Sequence, residues 1–259
     1  MGRLAPEDEQ ARRARTLPDG VNPADFSEAL ARGLAVLEAF GTDRDRLTQA
    51  EAAKLIGVSR ATVRRAILTL EFLGYLRSDG RSYELTPQVM ALSGRYLGSN
   101  PVSSVLQPSC DRIGARFDAP CSVAVLNRDD ALIVARFVPD HLIAIGTGIG
   151  FRTPARVSSL GRVLVANLPE DEAAAYLGGA SGLTEAELAE VRSDGYSYVA
   201  DDIEAGKHSI AVPVARWDGR IVAALHVGAT KEEISPDRMR GEVLGVLLDE
   251  VAQRQPQLI

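Results

Sequence analysis

One stretch of the sequence, residues 47–85, decides the fold of the first third of the chain, and it reads LTQAEAAKLIGVSRATVRRAILTLEFLGYLRSDGRSYEL. Thr48 and Glu51 have the spacing of a capping box, in which each side chain binds an amide at the start of a helix. This pair predicts a short helix over Gln49–Ile56, ended by the glycine that follows. Ser59 then has the residue type and the position of the N-cap of a second helix.

The second helix and the segment after it complete an ordered set of elements. Val63, Ile67 and Leu70 recur at helical spacing, so they form the apolar face of an amphipathic helix. Beyond it, Asp79-Gly80 is a favoured hairpin turn between two short strand-like runs. A short helix, a turn, a second helix and a hairpin in this order predict a winged helix-turn-helix, a motif that binds duplex DNA.

The polar and basic residues of this motif are the predicted DNA contacts. Arginine binds guanine bidentately or clamps phosphates, and short hydroxyl side chains bind phosphate oxygens. The predicted contacts lie at the two helix starts, along the second helix and on the hairpin: Thr48, Ser59, Arg60, Thr62, Arg64, Arg65, Arg77 and Arg81. Two alternatives stay open, because a helix-turn-helix outline can also serve protein interaction and exposed arginines are often only solvated.

Composition places the chain among ordinary globular proteins. Of its 259 residues 46% are apolar and 25% are charged. The net charge of −6 is uneven, since residues 1–100 hold 14 basic and 13 acidic side chains, whereas residues 101–259 hold 15 and 22. Cys110 and Cys121 are too few to staple a protein of this size and lack zinc-ligand spacing. With no membrane span and no secretory signal, we expect a cytoplasmic protein without a membrane partner.

The pattern along the chain predicts four segments. Residues 1–22 mix proline, glycine and charges, which is typical of a disordered arm. Residues 23–86 are the predicted winged helix-turn-helix domain, 87–100 a linker helix and 101–254 a second domain.

Two further elements are predicted from apolar spacing. A helix ahead of the quoted stretch starts at a capping pair, Asp25 and Glu28, and ends at Gly41. The second domain alternates apolar strands with helices and includes a strand at Leu142–Thr147. The predicted fold is therefore α+β, with an antiparallel sheet in the second domain rather than a doubly wound nucleotide fold.

Motifs between residues 26 and 252 follow one another in a specific order. In the first half they are Leu30-Ala31-Arg32-Gly33-Leu34-Ala35-Val36-Leu37, Leu47-Thr48-x-x-Glu51-Ala52-Ala53, Arg64-Arg65-x-x-Leu68-Thr69-Leu70-x-x-Leu73-Gly74-Tyr75 and Leu85-Thr86-Pro87. In the second half they are Ser158-Ser159-Leu160-Gly161-Arg162-x-Leu164-x-Ala166 and Gly206-x-x-Ser209-Ile210-Ala211-Val212-Pro213-Val214. The chain resembles the IclR family of bacterial transcription regulators, in the branch that controls aromatic-acid catabolism through the protocatechuate and β-ketoadipate pathways.

The resemblance implies a C-terminal effector-binding domain similar to GAF-type α/β sensor folds, with a small-molecule pocket. By position, the family's pocket residues fall on Arg156, Ser158, Ser159, Leu160, Asp202, Ser209, His226 and Gly228. Arg156 offers a planar fork for a carboxylate, and serines at a helix start stand beside free amides, so the ligand is expected to be an anion. The alternatives are a surface or interface role for Arg156, a hydrogen-bonded sheet position for His226 and a helix cap for Ser158.

Residues and resemblance together predict a ligand-responsive regulator of a catabolic operon that binds operator DNA and senses a small carboxylic acid. The alternative is a DNA-binding regulator or interaction protein without a small-molecule effector. We expect no enzyme activity, no metal and no cofactor, because the sequence lacks a nucleophile–base motif, an H-x-x-x-H pair and a phosphate loop. The resemblance also implies a homodimer through the N-terminal half or a homotetramer through the effector domains.

Overall fold

The computed structural model describes residues 22, 24–41, 44–142, 148–178, 183–202 and 204–259. These residues belong to two compact units that divide between Leu92 and Ser93. The predicted arm at 1–22 and the predicted strand at Leu142–Thr147 lie outside the described residues, except for their last and first residue, and both remain predictions.

The N-terminal unit is a winged helix-turn-helix, as the sequence predicts. Its described helices and strands are α1 (Glu28–Glu38), β1 (Arg46–Leu47), α2 (Gln49–Ile56), α3 (Arg60–Phe72), β2 (Leu76–Ser78) and β3 (Tyr83–Leu85). The strands form an antiparallel sheet in the order β1-β3-β2. The predicted apolar face of α3 packs with Val36 of α1 and Leu76 of β2 in one buried cluster.

Short-range capping sets the limits of α2 and α3. The Thr48 hydroxyl accepts a hydrogen bond from the Glu51 amide at 3.3 Å, and the Glu51 carboxylate accepts one from the Thr48 amide at 2.8 Å. Gly57 ends α2 with a φ of 74°, in the left-handed region that favours glycine. The Ser59 hydroxyl accepts from the Thr62 amide at 3.2 Å and starts α3. The predicted capping box, turn and second cap are confirmed.

The predicted limits of α1 are wrong by two or three residues. Ser27, rather than Asp25, is the N-cap, since its hydroxyl accepts from the Leu30 amide at 3.4 Å. The helix ends at Glu38, because Gly41 instead pairs with Arg44 through two backbone hydrogen bonds. Strand β1, which pairs with β3, was not predicted.

One helix spans the residues at which the two units divide. Helix α4 (Gln88–Ser99) contains both Leu92 and Ser93, where a linker helix is predicted. Asn100 then caps α5 (Pro101–Phe117), because its side chain accepts a hydrogen bond from the Val102 amide at 2.9 Å.

In the described residues, the C-terminal unit is built around a six-stranded sheet. Its strands are β4 (Cys121–Asn127), β5 (Asp130–Phe137), β6 (Arg152–Pro154), β7 (Ser197–Ala200), β8 (Lys207–Ala215) and β9 (Ile221–Thr230). Its helices after α5 are α6 (Ser159–Ala166), α7 (Glu170–Ala173) with a 3-10 turn at Ala174–Tyr176, α8 (Glu185–Asp194), α9 (Pro236–Arg238), a π-helical turn at Met239–Val243 and α10 (Leu244–Arg254).

The strand order is β6-β5-β4-β9-β8-β7, and each neighbouring pair is antiparallel. Helices α5 and α10 cover one face of this sheet, where Val123, Val212 and Leu225 are buried. Helices α6 and α8 cover part of the other face, which presents the small residues Ala211 and Ala224. The α+β prediction with an antiparallel sheet is confirmed, although β6 was not predicted.

Two buried features complete this unit. Cys110 and Cys121 are free thiols in the α5 face of the core, and burial raises the pKa of the Cys121 thiol.

Among the described helices, none has both the length and the apolar character that crossing a membrane requires.

Candidate functional site

Helix α3 presents three arginines to solvent. Val63 and Ile67 turn inward, so Arg60, Arg64 and Arg65 lie on the exposed arc of the same helix. None of the three forms an ion pair with a carboxylate of the described residues. These guanidinium groups are therefore available to an anionic partner.

The hydroxyls at the helix starts are already used for capping. The Ser59 and Thr62 hydroxyls lie 2.9 Å apart at the start of α3. The Thr48 hydroxyl donates to the Glu51 carboxylate at 2.8 Å. Because these helix starts still expose amides, they present positive ends of backbone dipoles beside the arginines.

Charged side chains stabilise the wing, which is the hairpin of β2 and β3. Arg77 forms an ion pair with Glu84, and Arg46 bridges Asp79 at 2.7 Å and Glu84 at 3.0 Å. Hydrogen bonds from the Ser82 and Arg81 amides lower the pKa of Asp79 to about 2. Arg46 was not predicted, since its role depends on the unpredicted β1, whereas Arg81 lies exposed on the turn as expected.

A cavity of about 280 Å³ opens on the sheet face that α6 only partly covers. Its apolar walls include Pro120, Leu142 and Val199. A volume near 300 Å³ lies at the lower end of small-molecule pockets. Most of the exposed wall area is apolar, although charged side chains also line the cavity.

Half of the predicted effector residues line this cavity. They are Asp202, Ser209, His226 and Gly228. Ser159 reaches its edge, because the Ser159 and Ser209 hydroxyls lie 2.8 Å apart. The structure thus brings together residues from three separate sequence segments.

The structure does not bring Arg156 to the cavity. Its guanidinium donates to the carbonyl oxygens of Ala175, Tyr176 and Gly178 at 2.9, 2.6 and 3.0 Å. It also lies 5.9 Å from the centre of the Tyr176 ring. The predicted carboxylate fork instead holds the segment after α7, because three converging carbonyls accept hydrogen bonds from it.

Two neighbours of Arg156 also stabilise the fold and do not reach the cavity. The Ser158 hydroxyl accepts from the Gly161 amide at 3.1 Å and donates to the Pro154 carbonyl at 2.9 Å, so it caps α6. Leu160 is buried in the core between α6 and the sheet. Neither side chain lines the cavity.

Arg136 lines the cavity and was not predicted. It lies on β5 opposite Ser122, and Ser122 lies opposite His226 on β9. Directly opposed residues share a face of the sheet, so Arg136, Ser122 and His226 form a polar row there. Burial lowers the pKa of Arg136. The available sequence signal was a basic residue inside the apolar run Ala131–Val138.

His226 is a neutral imidazole in this row. Burial, and then the nearby charge of Arg136, lower its pKa to about 3. Its buried Nδ1 has no hydrogen-bond partner among the described residues. Gly228 allows the ring to lie along the strand, because a Cβ at that position would be 3.1 Å from His226 Cε1. The ring therefore holds one buried, unpaired polar atom close to a cation.

The low pKa of His226 predicts a pH-dependent stability. Between about pH 6.5 and 3 the unfolded chain binds a proton at His226 that the folded protein does not, so the free energy of unfolding falls as pH falls. We expect wild type to lose about 2 kcal/mol more than His226→Gln between about pH 6.5 and 5. Urea denaturation at both pH values measures this difference, and equal losses would contradict it.

Comparison with known proteins agrees with this architecture. Residues 29–80 match the model of the IclR helix-turn-helix domain, and residues 94–254 match that of the bacterial transcriptional regulator IclR C-terminal region. The Pca regulon regulatory protein of Pseudomonas putida is 36% identical over 237 residues, which cover 86% of this chain and 81% of that protein.

Two further similarities extend over most of the chain. The p-hydroxybenzoate hydroxylase transcriptional activator of Acinetobacter baylyi is 32% identical, over 88% of this chain and 90% of that protein. The crystal structure of an IclR homologue from Microbacterium hydrocarbonoxydans, complexed with 4-hydroxybenzoate, superposes with a TM-score of 0.73 at 24% identity, covering 89% of this chain and 99% of that one. The chain therefore belongs to the IclR family of bacterial transcriptional regulators.

Proposed function

We propose that this protein regulates a catabolic operon for aromatic acids, and that the cavity on the C-terminal sheet binds its effector, a small aromatic carboxylate. The observation that supports this most directly is the polar row of Arg136 and His226 in a mostly apolar cavity of about 280 Å³. A guanidinium binds a carboxylate through two parallel hydrogen bonds, and apolar walls accept a single ring.

The relatives support the same class of ligand. Two are named regulators of the Pca regulon and of p-hydroxybenzoate hydroxylase, and one structural neighbour is complexed with 4-hydroxybenzoate. In this chain the proposed contacts are Arg136, Ser209, His226 and Asp202, with Gly228 and Ser159 shaping the wall. Arg136 takes the role that the sequence assigned to Arg156.

The DNA-binding half of the proposal rests on α3 and the wing. The proposed contacts are Thr48, Ser59, Arg60, Thr62, Arg64, Arg65, Arg77 and Arg81. Arg46 supports them by bracing the wing. Arg60, Arg64 and Arg65 are the proposed major-groove residues, since the start of the recognition helix projects there. Such a regulator acts where the chromosome is, so we propose a cytoplasmic location.

We also propose that the protein is at least a homodimer. An apolar groove of about 540 Å³ in the N-terminal unit runs between α1, α3 and the start of α4. Leu30, Leu34, Leu73 and Leu92 line it, and each is at least half exposed in the single chain. Covering such a surface is favourable, and helix-turn-helix regulators commonly bind palindromic operators as dimers. A homotetramer through the effector domains remains part of the same proposal.

Ligand binding to the folded protein tests the effector proposal. A small aromatic acid at about a hundredfold excess over its Kd should raise the Tm by roughly 5–10 °C. Protocatechuate, 4-hydroxybenzoate, β-ketoadipate and cis,cis-muconate form the screening panel. Arg136→Gln should abolish the shift, and Arg152→Gln, an arginine of the same sheet outside the cavity, should keep it.

Two results would contradict the effector proposal. The first is a Tm that none of the four acids changes in wild type, which would favour a regulator without a small-molecule effector. The second is an unchanged shift in Arg136→Gln, which would place the ligand elsewhere. Operator binding measured with and without the active acid then shows whether effector binding in the cavity changes the affinity for DNA.

A further inference from the structure

A β-bulge in β5 decides which of its side chains face the cavity. Val123 of β4 pairs with Ala135 of β5. The next residue of β4, Ala124, pairs with Ile133. Val134 is therefore the extra residue of a bulge. A shift of one residue turns every side chain that follows to the other face of the sheet.

The bulge places Arg136 on the cavity face. Ala131, ahead of the bulge, packs in the cluster that α6 covers, whereas Ala135, beyond it, packs in the cluster that α5 covers. Residues four apart in a regular strand share one face, so the bulge causes this change of face. Arg136 follows Ala135, so it lies on the opposite face, where it lines the cavity.

The backbone of this bulged segment is hydrogen-bonded to the start of α5. The Ser103 hydroxyl donates to the Val134 carbonyl at 2.5 Å. The Gln107 side-chain amide donates to the Arg136 carbonyl, and the Gln107 side-chain oxygen accepts from the Arg136 amide, both at 3.0 Å. Ser103 and Gln107 lie one turn apart on the same face of α5. A residue of the cavity wall is thus held through its backbone by α5.

A proline divides α5 into two segments. Pro108 lies inside the helix and has no amide proton, so it cannot donate to the Ser104 carbonyl one turn earlier. Its ring also crowds that carbonyl, and sharp bends in helices occur mostly at such prolines. We call residues 101–107 the leading segment of α5 and residues 109–117 the trailing segment.

The two segments are attached to different parts of the unit. The trailing segment is tied to α10, since the Ser109 hydroxyl donates to Glu250 Oε1 at 2.8 Å and Arg112 forms an ion pair with Glu250. The leading segment is bonded to the bulged segment of β5, and Asn100 alone separates it from the linker helix α4. A shift of the bulged segment can therefore turn the leading segment about Pro108 while the trailing segment stays in place.

We propose that a ligand in the cavity acts on the linker helix α4 through the bulged segment of β5 and the leading segment of α5, with Ser103 and Gln107 as the coupling contacts and Pro108 as the hinge. This inference rests on the proposed effector role of the cavity. A ligand shifts an equilibrium only by binding one state more tightly, and contact with the Arg136 side chain provides that difference between two positions of β5. Because operator half-sites have a fixed spacing, a small rotation of the linker changes how well a dimer fits DNA.

The ratio of operator affinities without and with ligand measures this coupling. Fluorescence anisotropy gives the ratio for the full-length protein on a DNA site selected by wild type from a random pool. The ligand is the acid of the four-compound panel that gives the largest Tm shift in wild type, at saturating concentration. Coupling between two sites in a protein typically changes affinity by about 5- to 150-fold, so we expect a wild-type change of at least about fivefold.

Gln107→Leu tests the coupling contact. The change keeps the approximate size of the side chain and removes both hydrogen bonds to the Arg136 backbone, together with one to Asp111 within α5. We expect the change in operator affinity to fall below about twofold, with the Kd of the acid and the ligand-free operator affinity within about threefold of wild type. Gln255→Leu removes a glutamine hydrogen bond to the Arg216 carbonyl outside both segments and should keep the wild-type ratio.

Pro108→Ala tests the hinge without weakening the fold. Pro108 is exposed, and alanine restores the missing amide proton and favours the helix, so the Tm should equal or exceed that of wild type. We expect the change in operator affinity to fall below about twofold here as well, because a continuous α5 no longer turns at this point. Pro236→Ala replaces a proline at the start of α9, where proline fits a helix, and should keep the wild-type ratio.

The possible failures are distinguishable. A wild-type ratio in a folded Gln107→Leu or Pro108→Ala protein would overturn the inference and leave the effector proposal intact. Loss of acid binding in Gln107→Leu would also overturn it, because Gln107 would then support the cavity itself. If Gln107→Leu does not fold, Pro108→Ala decides. If no acid binds wild type, or if binding leaves its operator affinity unchanged, the effector proposal fails, and this inference fails with it.

Discussion

Replacing Arg64 and Arg65 together by alanine should lower the affinity of the full-length protein for its operator by at least 100-fold at physiological salt. Both side chains are exposed on α3 and form no ion pair with a described carboxylate. A good arginine contact to a base is worth about 1–3 kcal/mol, and a dimer loses four arginines. Fluorescence anisotropy with a DNA site selected from a random pool by wild type measures the change.

The salt dependence of binding separates the two kinds of contact. Each lost phosphate contact should reduce the slope of log K against log salt by about one, whereas a lost base contact lowers affinity mainly for the selected site. Arg220→Ala, which removes an exposed arginine of the C-terminal unit, is the matched control. If the double variant binds the selected site within threefold of wild type, α3 is not the helix that recognises the DNA sequence.

Local signals in the sequence predict the N-terminal unit well. The capping box at Thr48 and the cap at Ser59 act over three residues, and the buried positions Val63 and Ile67 follow one helical period. Such patterns depend only on neighbours in the chain, so they can be predicted without knowing the fold. Strand β1 could not be predicted in this way, since its two residues form a strand only through pairing with β3.

The cavity shows where sequence patterns stop being sufficient. Arg136 and His226 are 90 positions apart and become neighbours only because β5, β4 and β9 pair in register. The Arg156 side chain could bind a carboxylate, but its guanidinium donates to three backbone carbonyls around Tyr176 instead. Those carbonyls converge through the 3-10 turn after α7, which a sequence pattern does not reveal.

The glycine in the family motif around Ser159 has a structural role. Gly161, in the first turn of α6, packs directly against the backbone of Ala155. A Cβ at Gly161 would lie 2.1 Å from Ala155 Cα and 2.3 Å from Ala155 O. Backbone atoms cannot rotate away as a side chain can, so α6 itself must move.

Gly161→Ala should therefore destabilise the C-terminal unit by about 3 kcal/mol, an overpacking cost that lowers its Tm by roughly 6–12 °C. Ligand affinity should fall as well, since α6 carries Ser159, whose hydroxyl lies 2.8 Å from that of Ser209 at the cavity edge. Differential scanning calorimetry measures the first effect, and titration with the active aromatic acid measures the second.

Gly245→Ala provides the matched control for Gly161→Ala. Gly245 lies in the regular helix α10, and a Cβ there would have no neighbour within 4 Å. Alanine is the better helix former, so this variant should be unchanged or more stable by up to about 1 kcal/mol. A Gly161→Ala protein whose Tm matches that of wild type would show that α6 can shift at no cost. The close contact with Ala155 would then not be what fixes the position of α6.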